Sequence, residues 1–185
     1  MYASRGGYKL EGALKSLGIE VKDKVIADLG SSTGGFTDCL LKNGASRVYA
    51  VDVGYGILAW KLRKDKRVVV LERKNARYLK LEDLGERVDM VTADLAFISL
   101  KKIIPVLPDI LKENGEALCL IKPQFEVKRR EVGPKGVVKD PALHQRVIEE
   151  ISGAAEKNGF KVRGVVESPL QGPQGNKEFF IYLGR

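Results

Sequence analysis

The sequence predicts an α/β fold: a mostly parallel sheet of seven strands, one of them antiparallel, with helices on both faces. Two observations lead to this class. Short apolar runs alternate with stretches of helical spacing along most of the 185 residues, which is typical of parallel sheets. The last two strand-like runs are instead joined by a Gly/Pro loop, so the final strand is expected to insert antiparallel to its neighbours.

The first half of the chain begins with a helix and continues with three strands. Apolar residues recur on one helix face at Leu10, Ala13, Leu14 and Leu17, and Gly18 is a natural stop. Apolar runs bounded by glycine or charged residues then predict further elements. They are strands at 24–30, 47–53 and 67–72, a helix ending near Asn43, and a short helix around 57–63.

The second half continues the alternation, with one interruption. Asn114-Gly115 predicts the end of a helix that starts near Leu100, and Pro141 is a favourable first residue for a later helix. Between them, residues 123–140 break the pattern with five basic residues and two glycines. The predicted elements are strands at 88–94, 116–122, 160–167 and 178–183, and helices at about 100–112 and 141–158.

Composition and charge favour a single domain that meets an anionic partner. A chain of this length with 44% hydrophobic residues can bury a real core, so one domain over residues 1–185 is expected. The net charge of +8 favours nucleic acid, although an anionic membrane or simple solubility would also account for it. Nine basic residues fall between 61 and 80, and a solvated helix face explains part of that cluster.

The two cysteines and the absence of apolar spans indicate the compartment. Cys39 and Cys119 lie inside apolar runs without metal-ligand or disulfide spacing, so buried free thiols and no metal site are expected. The sequence shows no N-terminal targeting signal and no run long enough to cross a bilayer. A cytoplasmic protein is therefore expected; its oligomeric state is not predicted.

A glycine turn after the first strand predicts a cofactor site. Its spacing misses the dinucleotide pattern and fits the looser turn of S-adenosylmethionine (SAM) enzymes. In that interpretation Asp28 faces the cofactor ammonium, and Asp52, at the end of the second strand, takes the two ribose hydroxyls. The plainer alternative is a turn that only joins strand to helix. The candidate cofactor residues are Asp28, Gly30, Ser31, Ser32, Thr33, Gly34, Asp52, Val53 and Asn75.

Four polar residues belong to four different elements near the expected ligand edge. Asp94 and Lys122 end neighbouring strands, Lys9 lies inside the first helix, and Glu178 opens the last strand. A lysine that closes an apolar run is costly if it is buried and unpaired. Lys122 is therefore the most informative of the four, unless it reaches the surface or pairs with Asp94 for structural reasons.

Five motifs in order resemble the TlyA (hemolysin A) family of FtsJ/RrmJ-like ribosomal RNA 2′-O-methyltransferases. The resemblance implies a Rossmann-like methyltransferase fold, SAM as cofactor, and methylation of a ribose 2′-hydroxyl on cytidines of ribosomal RNA. It also implies that the superfamily's catalytic Lys-Asp-Lys-Glu tetrad falls on Lys9, Asp94, Lys122 and Glu178. The motifs occupy residues 4–10, 28–40, 51–56, 94–100 and 121–126.

The resemblance has one departure, at the start of the chain. Family members normally carry a small RNA-binding domain before the motif at 4–10, and this chain begins almost at that motif. The expectation is a catalytic domain without that segment, whose own surface must meet ribosomal RNA or ribosomal subunits rather than a membrane. Residues 1–22 then carry the helix with Lys9, and residues 123–140 form a lid that orders only with RNA. The candidate RNA-binding residues are Arg5, Phe125, Lys128, Arg129 and Arg130.

The chemistry implied for the tetrad is proton removal and alignment. Lys122 would act as general base on the ribose hydroxyl, Asp94 would hold its amine, and Lys9 and Glu178 would orient the ribose and balance charge. The single histidine, His144, is predicted to have a surface or capping role.

Several competing activities fit the residues less well. An amino-directed methyltransferase would need Pro-Pro after Asp94, and a cytosine-carbon enzyme would need an exposed cysteine, whereas Cys119 lies inside a strand. A NAD-dependent oxidoreductase would need the other glycine spacing. Two alternatives remain open: a SAM-binding and RNA-binding domain without turnover, and a hemolysin-type membrane-active protein, which lacks the amphipathic segment it would need.

Overall fold

The computed structural model describes residues 1–185 as a seven-stranded sheet flanked by helices. Most strands are buried on both faces, as the continuous apolar runs predict. The helices and strands are α1 (Gly6–Leu17), β1 (Val25–Leu29), α2 (Gly35–Lys42), β2 (Arg47–Val51), α3 (Trp60–Arg63), β3 (Val68–Leu71), α4 (Leu81–Leu84), β4 (Val88–Ala93), α5 (Leu107–Ile110), β5 (Leu111–Ile121), α6 (Pro141–Lys157), β6 (Lys161–Glu167) and β7 (Phe179–Gly184).

The sheet has the strand order β3-β2-β1-β4-β5-β7-β6. The first five strands in this order are parallel neighbours, and β7 runs antiparallel to both β5 and β6. This is the sheet of Rossmann-like methyltransferases, and the predicted fold class is confirmed. The order reverses between β1 and β4, and ligands collect at such a switch point outside the carboxyl ends of the strands.

The sheet separates two apolar layers. One layer joins α5 and α6 to the sheet through Leu107, Val147 and Ile151 among 25 buried residues. The other layer packs α1 and α2 through residues such as Leu10 and Leu40 among 19 buried residues. Because α1 is held by its apolar face, the positions on its first two turns are fixed relative to the carboxyl edge of the sheet.

The helix predicted over residues 100–112 is wrong as a continuous element. The structure has two 3-10 turns, at Leu100–Lys102 and Ile104–Val106, followed by the short helix α5. Pro105 and Pro108 explain the difference, because each lacks the backbone N–H that a continuous helix needs.

Residues 123–140, the predicted lid, are tied to the body at both ends. Near the start, the Glu126 carboxylate accepts hydrogen bonds from the Ser99 hydroxyl (2.6 Å) and the Leu100 N–H (2.8 Å). Near the end, Val138 is buried and its N–H donates to the Asn176 side chain (3.0 Å). The middle is tied as well, because the Glu131 carboxylate accepts hydrogen bonds from the Arg146 guanidinium of α6 at 2.7 and 2.8 Å.

His144 has neither the surface nor the capping role predicted for it. It is buried in α6, and its ring Nε2 lies 2.7 Å from the carbonyl oxygen of Val138. The ring therefore helps to hold the end of the 123–140 segment.

No helix in the structure combines the length and the apolar character that crossing a bilayer requires.

Candidate active site

A cleft of about 530 Å³ opens at the switch point between β1 and β4. Its walls come from the residues that follow β1, β2, β3 and β4, as the parallel topology requires. Five of the residues predicted to bind a cofactor line it: Gly30, Ser32, Asp52, Val53 and Asn75.

Gly30 gives this cleft its floor. Its φ is +80°, and an added Cβ would lie 2.2 Å from the backbone oxygen of Asp94. No side chain fits there, because the obstacle is backbone rather than a movable side chain. The close approach of β1 and β4 at this point therefore depends on glycine.

The Asp52 carboxylate reaches across to the glycine turn. Its two oxygens accept hydrogen bonds from the N–H groups of Ser32 and Gly54, both at 2.8 Å. The side chain is half-buried and lines the cleft, so its remaining lone pairs face the space that a ligand would occupy. This position suits an acceptor for two hydroxyl groups.

The expectation that Asp28 faces a cofactor ammonium is not met. Its carboxylate is completely buried and accepts hydrogen bonds from the hydroxyls of Thr37 (2.7 Å) and Thr92 (3.1 Å). Asp28 lines neither of the cavities at this edge. Its hydrogen bonds instead join β1 to α2 and β4 beneath the glycine turn. Burial at this position also changes the proton affinity of the Asp28 carboxylate.

Burial raises the pKa of Asp28 to about 7, against the lowering effect of its two threonine donors. The native state therefore holds this proton between about pH 4 and pH 7, where the unfolded chain has released it. Stability must then fall as the pH rises through that window, by up to about 4 kcal/mol from this one group.

We expect Asp28→Asn to remove that contribution. The measurement is the free energy of unfolding in urea from pH 4 to 8 for both proteins. Both proteins contain the carboxylates whose pKa values are lowered by ion pairs. The difference between the two stability profiles therefore gives the contribution of Asp28 alone. Parallel profiles for wild type and variant would contradict the prediction.

A second cavity, of about 250 Å³, adjoins the first and shares Asp94 with it. Lys9 and Phe36 line it together with the glycine turn and residues 171–173. Two further predicted cofactor residues, Ser31 and Thr33, line this small cavity. Gly34 lines neither cavity and is covered by the Leu62 side chain.

The four polar residues implied as a catalytic tetrad form two ion pairs at this edge. The Lys9 amine lies 2.6 Å from the Glu178 carboxylate, which is 1% exposed. Lys122 follows β5 and Asp94 follows the neighbouring strand β4, and the Lys122 amine lies 2.5 Å from the Asp94 carboxylate. Since Lys9 and Asp94 line one small cavity, the two pairs border the same space. A hydroxyl group that enters this cavity would meet Lys9 and Asp94, whose partners Glu178 and Lys122 line neither cavity.

Glu178 has one oxygen, Oε1, without a hydrogen-bond partner. Gly172 packs directly against that oxygen, since a Cβ on this glycine would overlap it. An unpaired buried carboxylate oxygen is costly, and Gly172, which covers it, lines the small cavity.

The residues predicted to bind RNA are spread along the rim. Arg5 is exposed and lines the small cavity, and Lys128, Arg129 and Arg130 are exposed on the segment after β5. Phe125 is half-buried under Phe97, with the ring centroids 5.0 Å apart.

Phe97 is a functional candidate that the sequence reasoning missed. It is 89% exposed at the wall of the larger cleft, and its φ of +61° is unusual for an aromatic residue. The tight strand-to-loop turn after Asp94 holds it there. Backbone strain that keeps an apolar ring in solvent is typical of functional sites.

Comparison with known proteins identifies this arrangement. The family model described as FtsJ-like methyltransferase matches residues 2–185. This chain belongs to the FtsJ-like methyltransferase family.

Individual relatives agree with the FtsJ-like assignment. The 16S/23S rRNA (cytidine-2′-O)-methyltransferase TlyA of Mycobacterium tuberculosis is 50% identical over 182 residues, which cover 98% of this chain and 68% of the relative. YqxC of Bacillus subtilis, a candidate rRNA methyltransferase, is 50% identical over 98% of this chain, which spans 65% of that relative's length. The predicted resemblance to the TlyA family is confirmed.

A solved structure shares the FtsJ-like fold throughout. A candidate hemolysin from Streptococcus thermophilus aligns with a TM-score of 0.97 at 45% identity, covering 100% of this chain and 67% of the other.

Two further features of the FtsJ-like chain concern potential metal ligands and cysteine. No group of three or more His, Cys, Asp and Glu side chains could hold a metal ion. Burial raises the pKa of the Cys119 thiol to about 12, so this cysteine is a poor nucleophile near neutral pH.

Proposed function

We propose that this protein transfers a methyl group from SAM to a ribose 2′-hydroxyl of RNA, on cytidine in ribosomal RNA. The observation that carries the proposal is the meeting of two ion pairs, Lys9–Glu178 and Asp94–Lys122, beside a glycine turn. The names of relatives at 50% identity supply the substrate class.

The cleft fits the proposed cofactor. At Gly30 the backbone itself lines the cleft, because the Asp94 backbone oxygen leaves no room for a Cβ. Asp52 presents acceptors for the two ribose hydroxyls. Val53 and Asn75 border the same cleft and suit the adenine ring and its edge. Bound there, SAM would supply a methyl group activated by its sulfonium. Asp28 is left out of this assignment because its carboxylate is sealed from the cleft.

Lys122, as a neutral amine, is proposed to take the proton of the ribose hydroxyl. The hydroxyl oxygen bonds to the methyl carbon as the bond from that carbon to the sulfonium sulfur breaks, which leaves S-adenosylhomocysteine. Asp94 holds the lysine amine at 2.5 Å and fixes its direction. Lys9 and Glu178 are proposed to orient the ribose, since the Lys9 side chain lines the small cavity and the Glu178 carboxylate pairs with its amine at 2.6 Å. Alignment of the reacting atoms by such contacts can supply roughly 7–11 kcal/mol of the barrier reduction.

RNA is proposed to approach over Arg5, Lys9 and the exposed basic turn at 128–130. Phe125 is one of the predicted RNA-binding residues, but Phe97 covers it and presents the exposed ring. The pair together is the proposed stacking element for an unpaired base. The partly anchored segment 123–140 is the proposed lid.

Two measurements test the proposal. Calorimetry with SAM tests the cofactor, and tritium transfer from labelled SAM to ribosomal subunits tests turnover, followed by mapping of the labelled nucleotide. Label on a ribose 2′-oxygen of cytidine is the expected result. SAM binding without any transfer would favour a binding domain without turnover, and label on a base or on protein would reject the 2′-hydroxyl.

A single acid gives a direct test of the cofactor cleft. We expect Asp52→Ala to weaken SAM binding by roughly 10-fold or more, because two hydroxyl hydrogen bonds to a charged acceptor are lost. The control is Glu167→Ala, a carboxylate on exposed β6. Equal SAM affinity in calorimetry for Asp52→Ala and wild type would remove Asp52 from the proposed site.

A further inference from the structure

Three exposed aromatic side chains lie on the two chain segments that follow β2 and β3, called the two loops below, with Trp60 at the start of α3. Tyr55, Trp60 and Tyr78 are 68%, 69% and 63% exposed. The two loops are tied together, because the Gly56 N–H donates to the Glu72 carboxylate at 2.9 Å. Large aromatic rings are usually at least partly buried, so three of them in solvent on adjoining loops mark an interaction surface.

Each of these rings has a cation over its face. The distances from the ring centroids are 4.4 Å from Tyr55 to the Arg73 guanidinium, 5.0 Å from Trp60 to the Lys64 amine, and 5.5 Å from Tyr78 to the Arg77 guanidinium. Cation–ring pairs in solvent contribute little to folding, so their repetition here points to a ligand that meets both groups.

The acids of this region do not neutralise those cations. Among the nine basic residues between 61 and 80, Arg63 pairs with Glu72 and Arg67 pairs with Asp65, the two acids in that stretch. No carboxylate forms an ion pair with the three cations that cover the rings. The loops therefore keep a local positive charge beside exposed aromatic faces.

We propose that this surface, the aromatic platform, holds unpaired RNA that flanks the target nucleotide. The platform consists of Tyr55, Trp60 and Tyr78 with the cations Lys64, Arg73 and Arg77. Bases stack on aromatic faces regardless of sequence, and the adjacent cations contact the phosphates between them. The inference rests on the proposed function and adds to it that the substrate is single-stranded on one side of the methylated ribose.

The platform is continuous with the larger cleft. Val53 and Ile57 on the first loop, and Asn75 and Arg77 on the second, line that cleft. A strand lying on the platform therefore leads toward Asp94 at the opposite wall. RNA is favoured over an anionic membrane, which could also meet aromatic and basic side chains, because a bilayer seated here would cover the mouth of the cleft.

The single tryptophan of the chain gives a direct readout of the platform. Trp60 is the only tryptophan, so its fluorescence reports this surface alone. We expect an unstructured 12-nucleotide RNA to quench its emission in a saturable way that weakens with salt. Vesicles of phosphatidylglycerol and phosphatidylcholine serve as the rival probe, and no blue shift is expected with them.

Substitutions in the platform that leave the cleft residues unchanged test how much the platform contributes to RNA binding. We expect Tyr55→Ala combined with Tyr78→Ala to weaken binding of a labelled RNA, measured by anisotropy, by roughly 10-fold or more. Lys64→Ala combined with Arg73→Ala should also weaken binding and reduce its salt dependence. The control removes two exposed cations on the far side of the sheet, Lys157→Ala with Lys161→Ala, and should change RNA affinity by less than twofold.

None of the four substituted platform residues lines the cleft, so SAM affinity should stay at the wild-type value and report an intact fold. Wild-type RNA affinity in both platform variants would overturn the inference, as would a fluorescence response to vesicles but not to RNA. If RNA quenches Trp60 and the variants weaken it while no methyl transfer occurs, the proposed reaction fails and the platform stands.

Discussion

Lys122→Ala is expected to lower the rate of methyl transfer to RNA by about a thousandfold while SAM binding is kept. Removal of a positioned general base typically costs 10²- to 10⁴-fold. The side chain follows β5, its amine lies 2.5 Å from Asp94, and it does not line the larger cleft that is proposed to hold the cofactor. Asp94 loses its partner in this variant, and its Oδ1, which faces Lys122, is buried, so the SAM affinity also serves as the check on the fold.

Single-turnover transfer of tritium from SAM to ribosomal subunits measures this effect, and calorimetry measures the SAM affinity. Lys161→Ala is the matched control, since it removes an exposed lysine from β6 and should leave the rate unchanged. A rate within a factor of three of wild type for Lys122→Ala would rule out this lysine as the base. Loss of both SAM binding and rate would mean that the fold, rather than the base, had been damaged.

Gly30→Ala is expected to abolish SAM binding and to destabilise the protein by about 3 kcal/mol or more. Two effects add. A side chain at φ +80° costs roughly 1–2 kcal/mol, and its Cβ would lie 2.2 Å from the Asp94 carbonyl oxygen. Relief of that contact requires β1 and β4 to separate, which changes the floor of the cleft and the position of Asp94.

Gly85→Ala separates these two effects. Gly85 has φ +81°, and nothing lies within 4 Å of the position its Cβ would take. This control should lose only about 1 kcal/mol of unfolding free energy in urea and should bind SAM normally. If the two variants were equally stable and both bound SAM, the close approach at Gly30 would have no functional role.

The sequence by itself determined the order of the elements and the place of the site. Near-continuous apolar runs, separated by helical spacing, can be buried only in a parallel sheet, and the carboxyl ends of such strands converge. Gly30 and Asp52 were predicted to border a ligand, and both line the larger cleft. The family resemblance was carried by motifs that span most of the chain, and it was confirmed.

Where the structure differs from the sequence-based expectation, the cause is local and is not visible in the spacing of apolar residues. The helix predicted over 100–112 ignored Pro105 and Pro108, which break the run into short turns. Phe97 and Phe125 have the same residue type, and only Phe125 was selected from the sequence as an RNA-binding candidate. Only the turn after β4 decides which of the two covers the other.

The tertiary structure alone decided which acid meets solvent and which amine meets which carboxylate. Asp28 and Asp52 each follow an apolar run, yet α2 and β4 close over the first and leave the second open. Lys9 and Glu178 are 169 residues apart in the chain and 2.6 Å apart in space. The physical reason is that sequence patterns report local periodicity, whereas desolvation and ion pairing depend on neighbours that only the packed sheet brings together.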